Sequence, residues 1–406
     1  MRRTVEVCIA VIFLFLLMPD VLCRADTFTN RQTGEKFHGY ATGQTEQGRT
    51  IVRSEEKGTL ELNLMEWLVT PDRLGRNNKV IILTVDEDIE REIETDAFEK
   101  TIGTASAQGP LFILVEINTP GGRVNLVYRM CAAITEKANC EVIAYIKAGQ
   151  YAGAVSGGAA VALACDKIYM AENTIIGGVA VVAVPKPKKH EQEVIYVGPA
   201  AEKISSIWRA YFASLAEQNK RPGLLARAMV DNKIEVIEVN ESGQRMFIEP
   251  VNKKHSQQVV RTWSKNGSLL TLTSGEAVQC RIADGIISSR KQLLQQLQAD
   301  NAEVVVDKSM QYARKKLKRV VNKVLQIRKS LDLRAKQAQT QDPQKALANL
   351  RRLRSEFETL IQLIKRYPDL HVNPTDIMEL EDQLNSFKAD YEEILRERKR
   401  RIRKRR

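Results

Sequence analysis

Histidine is scarce in this chain. There are four in 406 residues, His38, His190, His255 and His371, so a catalytic or metal-binding imidazole has few candidates. Cysteine is thin as well. Two of the six fall within residues 1–25, and the other four, Cys131, Cys140, Cys165 and Cys280, show no metal-type spacing with histidine. They read as small buried hydrophobes rather than as a disulfide framework. No resident metal and no cofactor is therefore expected. Long apolar runs are missing too. Residues 7–18 form one unbroken run of twelve, and nothing later is long and apolar enough to cross a bilayer, which takes roughly 20 such residues.

That first run follows Arg2 and Arg3 and is stopped by Pro19 and Asp20. Its length suits the apolar part of an export signal, with cleavage after Ala25. A retained amino-terminal anchor and a lipidated Cys23 are the alternatives. Residues 1–25 are thus expected to be a signal peptide, and the protein to be exported to the periplasm or cell envelope.

Charge is unevenly spread. From Asp307 to the end there are 27 Lys+Arg against 14 Asp+Glu, which leaves 35 basic and 36 acidic of the totals of 62 and 50. The basic character belongs to the tail and is not a nucleic-acid signature of the whole protein.

Periodicity divides the rest. Residues 26–70 alternate short polar and apolar pieces with turn signals, which predicts a small β-rich region. Between 79 and 300, apolar strands alternate with helical patterns, which predicts βαβ units and a largely parallel sheet. The alternation over 235–263 predicts an inserted β-hairpin. In 307–406, apolar residues recur at spacings of three and four. Met310, Ala313, Leu317, Val320 and Val324 open one such seam, and two more follow around Leu353 and Leu384. This predicts three amphipathic helices with coiled-coil seams, folded on one another or paired with another chain.

Two glycine-bearing segments stand out. Asn118-Thr119-Pro120-Gly121-Gly122 lies between a strand and a helix, and Ser156-Gly157-Gly158 opens another helix. A serine there is accessible, and free N–H groups and the helix dipole favour negative charge beside it. Alone, Ser156 reads equally well as a helix N-cap.

Together with Asp166-Lys167-Ile168 and Ile176-Gly177-Gly178-Val179, these segments resemble, in order and spacing, signal peptide peptidase A and the NfeD-associated membrane serine proteases. Both groups have the Clp-protease/crotonase fold, an α/β superhelix of ββα units. The resemblance covers about 79–297. It implies that Ser156 is the nucleophile, that Gly122 and Gly157 supply oxyanion N–H groups, and that Gly121, Gly177 and Gly178 line the substrate cleft. These proteases use a lysine as base, which must be neutral to accept the serine proton. Lys203 fits best: it opens a helix and shares a face with Ile207, Ala210 and Tyr211, so burial and the helix start are both expected to favour its neutral form. Lys186, Lys188 and Lys189 are its competitors, and Lys167 matches a residue that is structural in the family. The match departs from the family where Gly178-Val179-Ala180-Val181 follows Gly177 only loosely.

The expected function is an exported serine endopeptidase with a Ser156–Lys203 dyad. It would cleave extended apolar peptide segments, such as signal-peptide remnants or membrane-protein tails, through an acyl-enzyme. The alternative is a catalytically silent scaffold of the same fold that assembles through its helical tail. Export disfavours a crotonase acting on acyl-thioesters. Expected partners are a peptide or protein substrate, further copies of the chain, and an anionic membrane surface met by the basic run 396–406. Nucleic acid fits that charge but not the compartment.

Overall fold

The computed structural model describes residues 26–45, 49–54, 56–70, 77–180, 199–338, 343–372 and 374–405. The expected signal peptide, His190 and the loop lysines Lys186, Lys188 and Lys189 lie outside these residues. The chain divides into two units, one of Met1–Glu90 and Phe98–Lys308, the other of Arg91–Ala97 and Ser309–Arg406.

In the first unit, five strands, β1 (Asp26–Asn30), β2 (Lys36–Gln44), β3 (Thr50–Ser54), β4 (Gly58–Leu62) and β5 (Trp67–Thr70), form an antiparallel sheet of order β4-β3-β2-β1-β5. Its own small core is Phe28, Phe37, Val52, Leu62 and Leu64, with Phe28 and Phe37 stacked at 5.2 Å.

From β6 (Asn77–Val85) onward the architecture changes to α/β. The helix α1 (Glu92–Ser106) follows it, and then β7 (Pro110–Ile117), α2 (Val124–Ala132), β8 (Val142–Ile146), β9 (Gly153–Val155), α3 (Gly157–Ala164), β10 (Lys167–Met170), β11 (Ile175–Gly177) and α4 (Pro199–Gln218). The last turn of α2 widens into a π-helix over Ala133–Lys137. A repeat is visible in this order. The strands β8 and β10 lie in a six-stranded sheet, β9 and β11 in a separate three-stranded one, and a helix follows each pair. The strand β7 joins the pattern, because Thr119 just beyond it makes a parallel bridge to Ala154 of β9 before α2 begins. Three successive ββα turns result, in agreement with the expected superhelical α/β class.

The six-stranded sheet has the order β16-β10-β8-β7-β6-β17, all parallel, with β16 (Gly285–Ile286) and β17 (Glu303–Val306) on its edges. Its central strands are apolar on both faces and buried on both, as a parallel sheet covered by helices requires. Val80, Ile82, Phe112, Leu114 and Ile143 pack on one side with Leu293 and Leu294 of a later helix.

After α4 come α5 (Gly223–Val230) and three antiparallel strands, β12 (Val236–Glu241), β13 (Gln244–Ile248) and β14 (Gln258–Ser264), in the order β13-β12-β14. The expected hairpin over 235–263 is therefore extended. The Ser242-Gly243 turn closes β12 on β13, and the chain then returns to pair with the other edge of β12. The strand β15 (Thr271–Thr273) pairs with β11, and α6 (Ser274–Gln279) and α7 (Arg290–Gln296) complete the unit. Arg221 is buried and donates to the carbonyls of Cys165, Asp166 and Ile282 and to the Asp284 carboxylate, which ties the end of α3 to the segment before β16.

The second unit is helical: α8 (Ser309–Ala338), α9 (Pro343–Arg366) and α10 (Pro374–Arg405), with α9 packed against both of the others. Val320, Val324, Leu331, Leu350, Leu353, Phe357, Leu360, Ile364 and Leu384 share one core, so the helices fold back on one another within the chain. The first turn of α1 packs here as well. Ile93 joins that core, Asp369 accepts from the N–H groups of Glu92 and Ile93, and Arg314 clasps the buried Glu94 at 2.8 Å.

Candidate active site

The turn that carries Ser156 is built by a sharp corner between β9 and α3. Ser156 sits at that corner with φ 52° and ψ −120°, outside the regions open to most L-residues. Such a conformation costs about 1–3 kcal/mol and persists only where the surroundings over-determine it. Here the Ser156 N–H is held by the Gly177 carbonyl at 2.9 Å, and its own carbonyl accepts from Ala159. The serine occupies the N-cap position, yet its side chain makes no capping hydrogen bond. The N-cap explanation of Ser156 therefore fails, and its half-buried Oγ is left for other work.

The Pro120-Gly121-Gly122 turn lies directly against this corner. Gly121 has φ 97°, and a Cβ there would fall 2.6 Å from the Gly157 nitrogen and 2.7 Å from Ser156 Cβ. Only glycine allows that approach. The turn is fixed from both sides. Ile89 donates to Gly121 O and accepts from Arg123, and the buried Thr119 Oγ1 donates to Glu87 O and accepts from Gly121 N–H. From α2, Val127 packs onto Gly157 so closely that a Cβ on Gly157 would lie 2.4 Å from it. That added atom would also stand 3.4 Å from the Gly122 nitrogen, so the Gly122 and Gly157 N–H groups border the same small space. Neither donates to another group among the described residues. Two unspent N–H groups beside an uncapped serine can receive an oxygen that gains negative charge.

The structure thus brings together Gly121, Gly122, Ser156, Gly157 and Gly177. Gly178 follows directly, its N–H bonded to Leu270 O at 3.0 Å beside β15. Lys203 is placed differently. It is exposed near the start of α4, as is Ile207, and among the described residues it shares no hydrogen bond with Ser156. The expected burial of Lys203 is corrected here. Two apolar stripes compete on α4, and the one that wins the core is Trp208, Phe212, Leu215 and Ala216. It carries more apolar area than the stripe through Lys203, Ile207 and Ala210, which faces outward.

One connection between the two elements was not legible in the sequence. Tyr128 of α2 and Tyr211 of α4 meet at 5.2 Å between ring centroids, and Tyr211 also bonds to Cys131 of α2. Burial pushes the Cys131 thiol up to about 12, so it is an inert core group. All four cysteines outside the first segment are buried, and none of them is paired in a disulfide.

No cluster of His, Cys, Asp and Glu suited to an ion occurs among the described residues. A cavity of about 210 Å³ lies at the far end of α3, lined by Trp67, Leu68, Cys140, Asp166 and Asn219 among others. Asp166 is exposed at this end and accepts from the Val142 N–H at 2.7 Å. Gly122, Ser156 and Gly157 do not line this cavity.

Residues 79–260 match the family described as NfeD1b, N-terminal domain. The chain is 26% identical over 247 residues to the membrane protein NfeD1b of Bacillus subtilis (strain 168), covering 61% of this chain and 47% of that one. It thus spans about half the length of that curated relative. Among solved structures it is similar to a serine-to-alanine variant of the 1510-N membrane-bound stomatin-specific protease, with 19% identity, TM-score 0.41, and coverage of 57% of this chain and 98% of that one. It is also similar to a 1510-N protease specific for a stomatin homolog from Pyrococcus horikoshii, with 18% identity, TM-score 0.36, and coverage of 57% and 92%. The resemblance to the NfeD-associated group drawn from the glycine and serine segments holds over 79–260. No helix among the described residues is long and apolar enough to cross a membrane.

Proposed function

We propose that this protein is an exported serine endopeptidase acting on extended apolar segments of peptides or membrane proteins. The observation that carries the reading is the strained, uncapped Ser156 beside the two unspent N–H groups of Gly122 and Gly157. In the proposed reaction, Ser156 Oγ attacks the scissile carbonyl carbon and its proton passes to Lys203 Nζ. The carbonyl oxygen, now negative, is held by the Gly122 and Gly157 N–H groups. The amine leaves with the proton from Lys203, and water then hydrolyses the acyl ester to regenerate the serine. Gly121, Gly177 and Gly178 line the path of the substrate backbone. The names of the relatives, a membrane protein and membrane-bound proteases, support action at a membrane.

A second reading is favoured by one observation, the exposure of Lys203. A chain whose base never reaches Ser156 would be a silent scaffold assembling through its helical unit. A fluorophosphonate probe separates the two. Labelling that disappears in Ser156→Ala supports the peptidase. No labelling of the parent protein by the probe, or equal labelling of Ser156→Ala, overturns it.

A further inference from the structure

The helix α8 turns its core seam, Leu317, Val320, Val324 and Leu331, toward α9. Its opposite side carries Lys315, Lys318, Arg319 and Lys329, flanked by Lys316 and Lys323, and all six are exposed. Between Lys308 and Leu331 there is no acidic residue. Among the described residues Lys315, Lys318, Arg319, Lys323 and Lys329 have no ion-pair partner, and Lys316 lies over the Tyr367 ring at 5.7 Å. The pairs Lys315–Arg319 and Arg319–Lys323 stand four residues apart, so like charges repel along one face and weaken the helix that bears them. The last helix is built otherwise: in α10 the acids precede the basic end, and Arg396 pairs with Glu392. Large apolar side chains also stand among the bases of α8. Tyr312 is 63%, Leu325 51% and Leu333 59% exposed.

We infer that this outward face of α8 is a docking surface for an anionic lipid bilayer. A sheet of phosphate and carboxylate headgroups supplies the counter-charge that the helix lacks and relieves its self-repulsion. Each basic residue near such a surface adds to the attraction. Leu325, Leu333 and Tyr312 decide between a bilayer and a nucleic acid. Apolar side chains projecting among bases can enter the acyl boundary beneath the headgroups, whereas a phosphate backbone offers them nothing. From Tyr312 to Leu333 the helix runs about 30 Å, long enough to lie along a membrane rather than touch it at a point. This surface is separate from the basic run 396–406 and does not depend on the peptidase reading.

The test is co-sedimentation of the full chain with phosphatidylcholine vesicles, with and without phosphatidylserine, at low and high salt. Binding is expected only with phosphatidylserine and to weaken with salt. The triple variant Lys315→Gln, Arg319→Gln, Lys323→Gln should bind roughly a hundredfold more weakly, and thermal unfolding should confirm that it remains folded. The double variant Leu325→Ser, Leu333→Ser should also bind more weakly, and removal of 396–406 should leave a component that the triple variant abolishes. Unchanged binding by the triple variant, equal binding to vesicles without phosphatidylserine, or complete loss on removing 396–406 alone overturns the assignment. Tighter binding to duplex RNA that survives the double leucine variant assigns the face to nucleic acid and overturns it equally.

Discussion

Ser156 and Lys203 belong to one proposed dyad, yet their surroundings differ. Ser156 is held in an unfavourable backbone conformation by Gly177, wedged by the Gly121 turn and backed by Val127. Lys203 stands in solvent near the start of its helix. The half proposed to stabilise an oxyanion is built into the sheet and its corners. The half proposed to move a proton is carried on an exposed side of a helix. Preorganisation of the first kind accounts for much of the rate in such reactions, and loss of the second would leave a shaped but slow cleft.

Substitutions can break this contrast. The largest effect on stability is expected at Gly121. Gly121→Ala combines a left-handed backbone with a contact too short for any side chain, and should cost about 3 kcal/mol. Peptidase activity should fall on the order of 100-fold as the oxyanion space deforms. Urea denaturation and turnover of an apolar peptide measure both, and an undisturbed Gly121→Ala protein would mean that the corner is not rigid. A smaller effect is expected where the two halves touch. Tyr128→Ala removes the ring that meets Tyr211 and should lower stability by about 1 kcal/mol, with a larger fall in turnover than in peptide affinity if α4 carries the base. The smallest structural effect belongs to Lys203→Arg. An exposed substitution should shift stability by less than about 0.5 kcal/mol, while an arginine cannot act as base, so turnover should vanish. A Lys203→Arg protein with normal turnover would move the base elsewhere.

Much of this was legible in the residues. The Pro120-Gly121-Gly122 and Ser156-Gly157-Gly158 segments lie between strands and helices in the pattern of alternation, and the structure joins them at the same corner. The seam through Leu317, Val320 and Val324 is a matter of spacing alone, and all three are buried. What escaped was of two kinds. Backbone torsion leaves no trace in composition, so a serine with φ 52° reads like any N-cap until its hydroxyl is seen to be unspent. Competing periodicities also cannot be ranked by pattern, because stripes through Lys203 and through Trp208 sit one register apart on α4.

The clasp on the first turn of α1 bears on how this chain can be divided. The N–H groups of Glu92 and Ile93 find their acceptor in Asp369, and Glu94 finds its cation in Arg314, more than two hundred positions downstream. A protein ended at Lys308, where the sequence suggests a natural place to stop, would open one helix without its cap and leave Glu94 with Arg91 but without the Arg314 guanidinium. The tail is then not luggage that evolution or an engineer can detach at will. Its order is written partly into residues that precede Ser156, and any transplant of this tail would have to carry Arg91–Ala97 along with it.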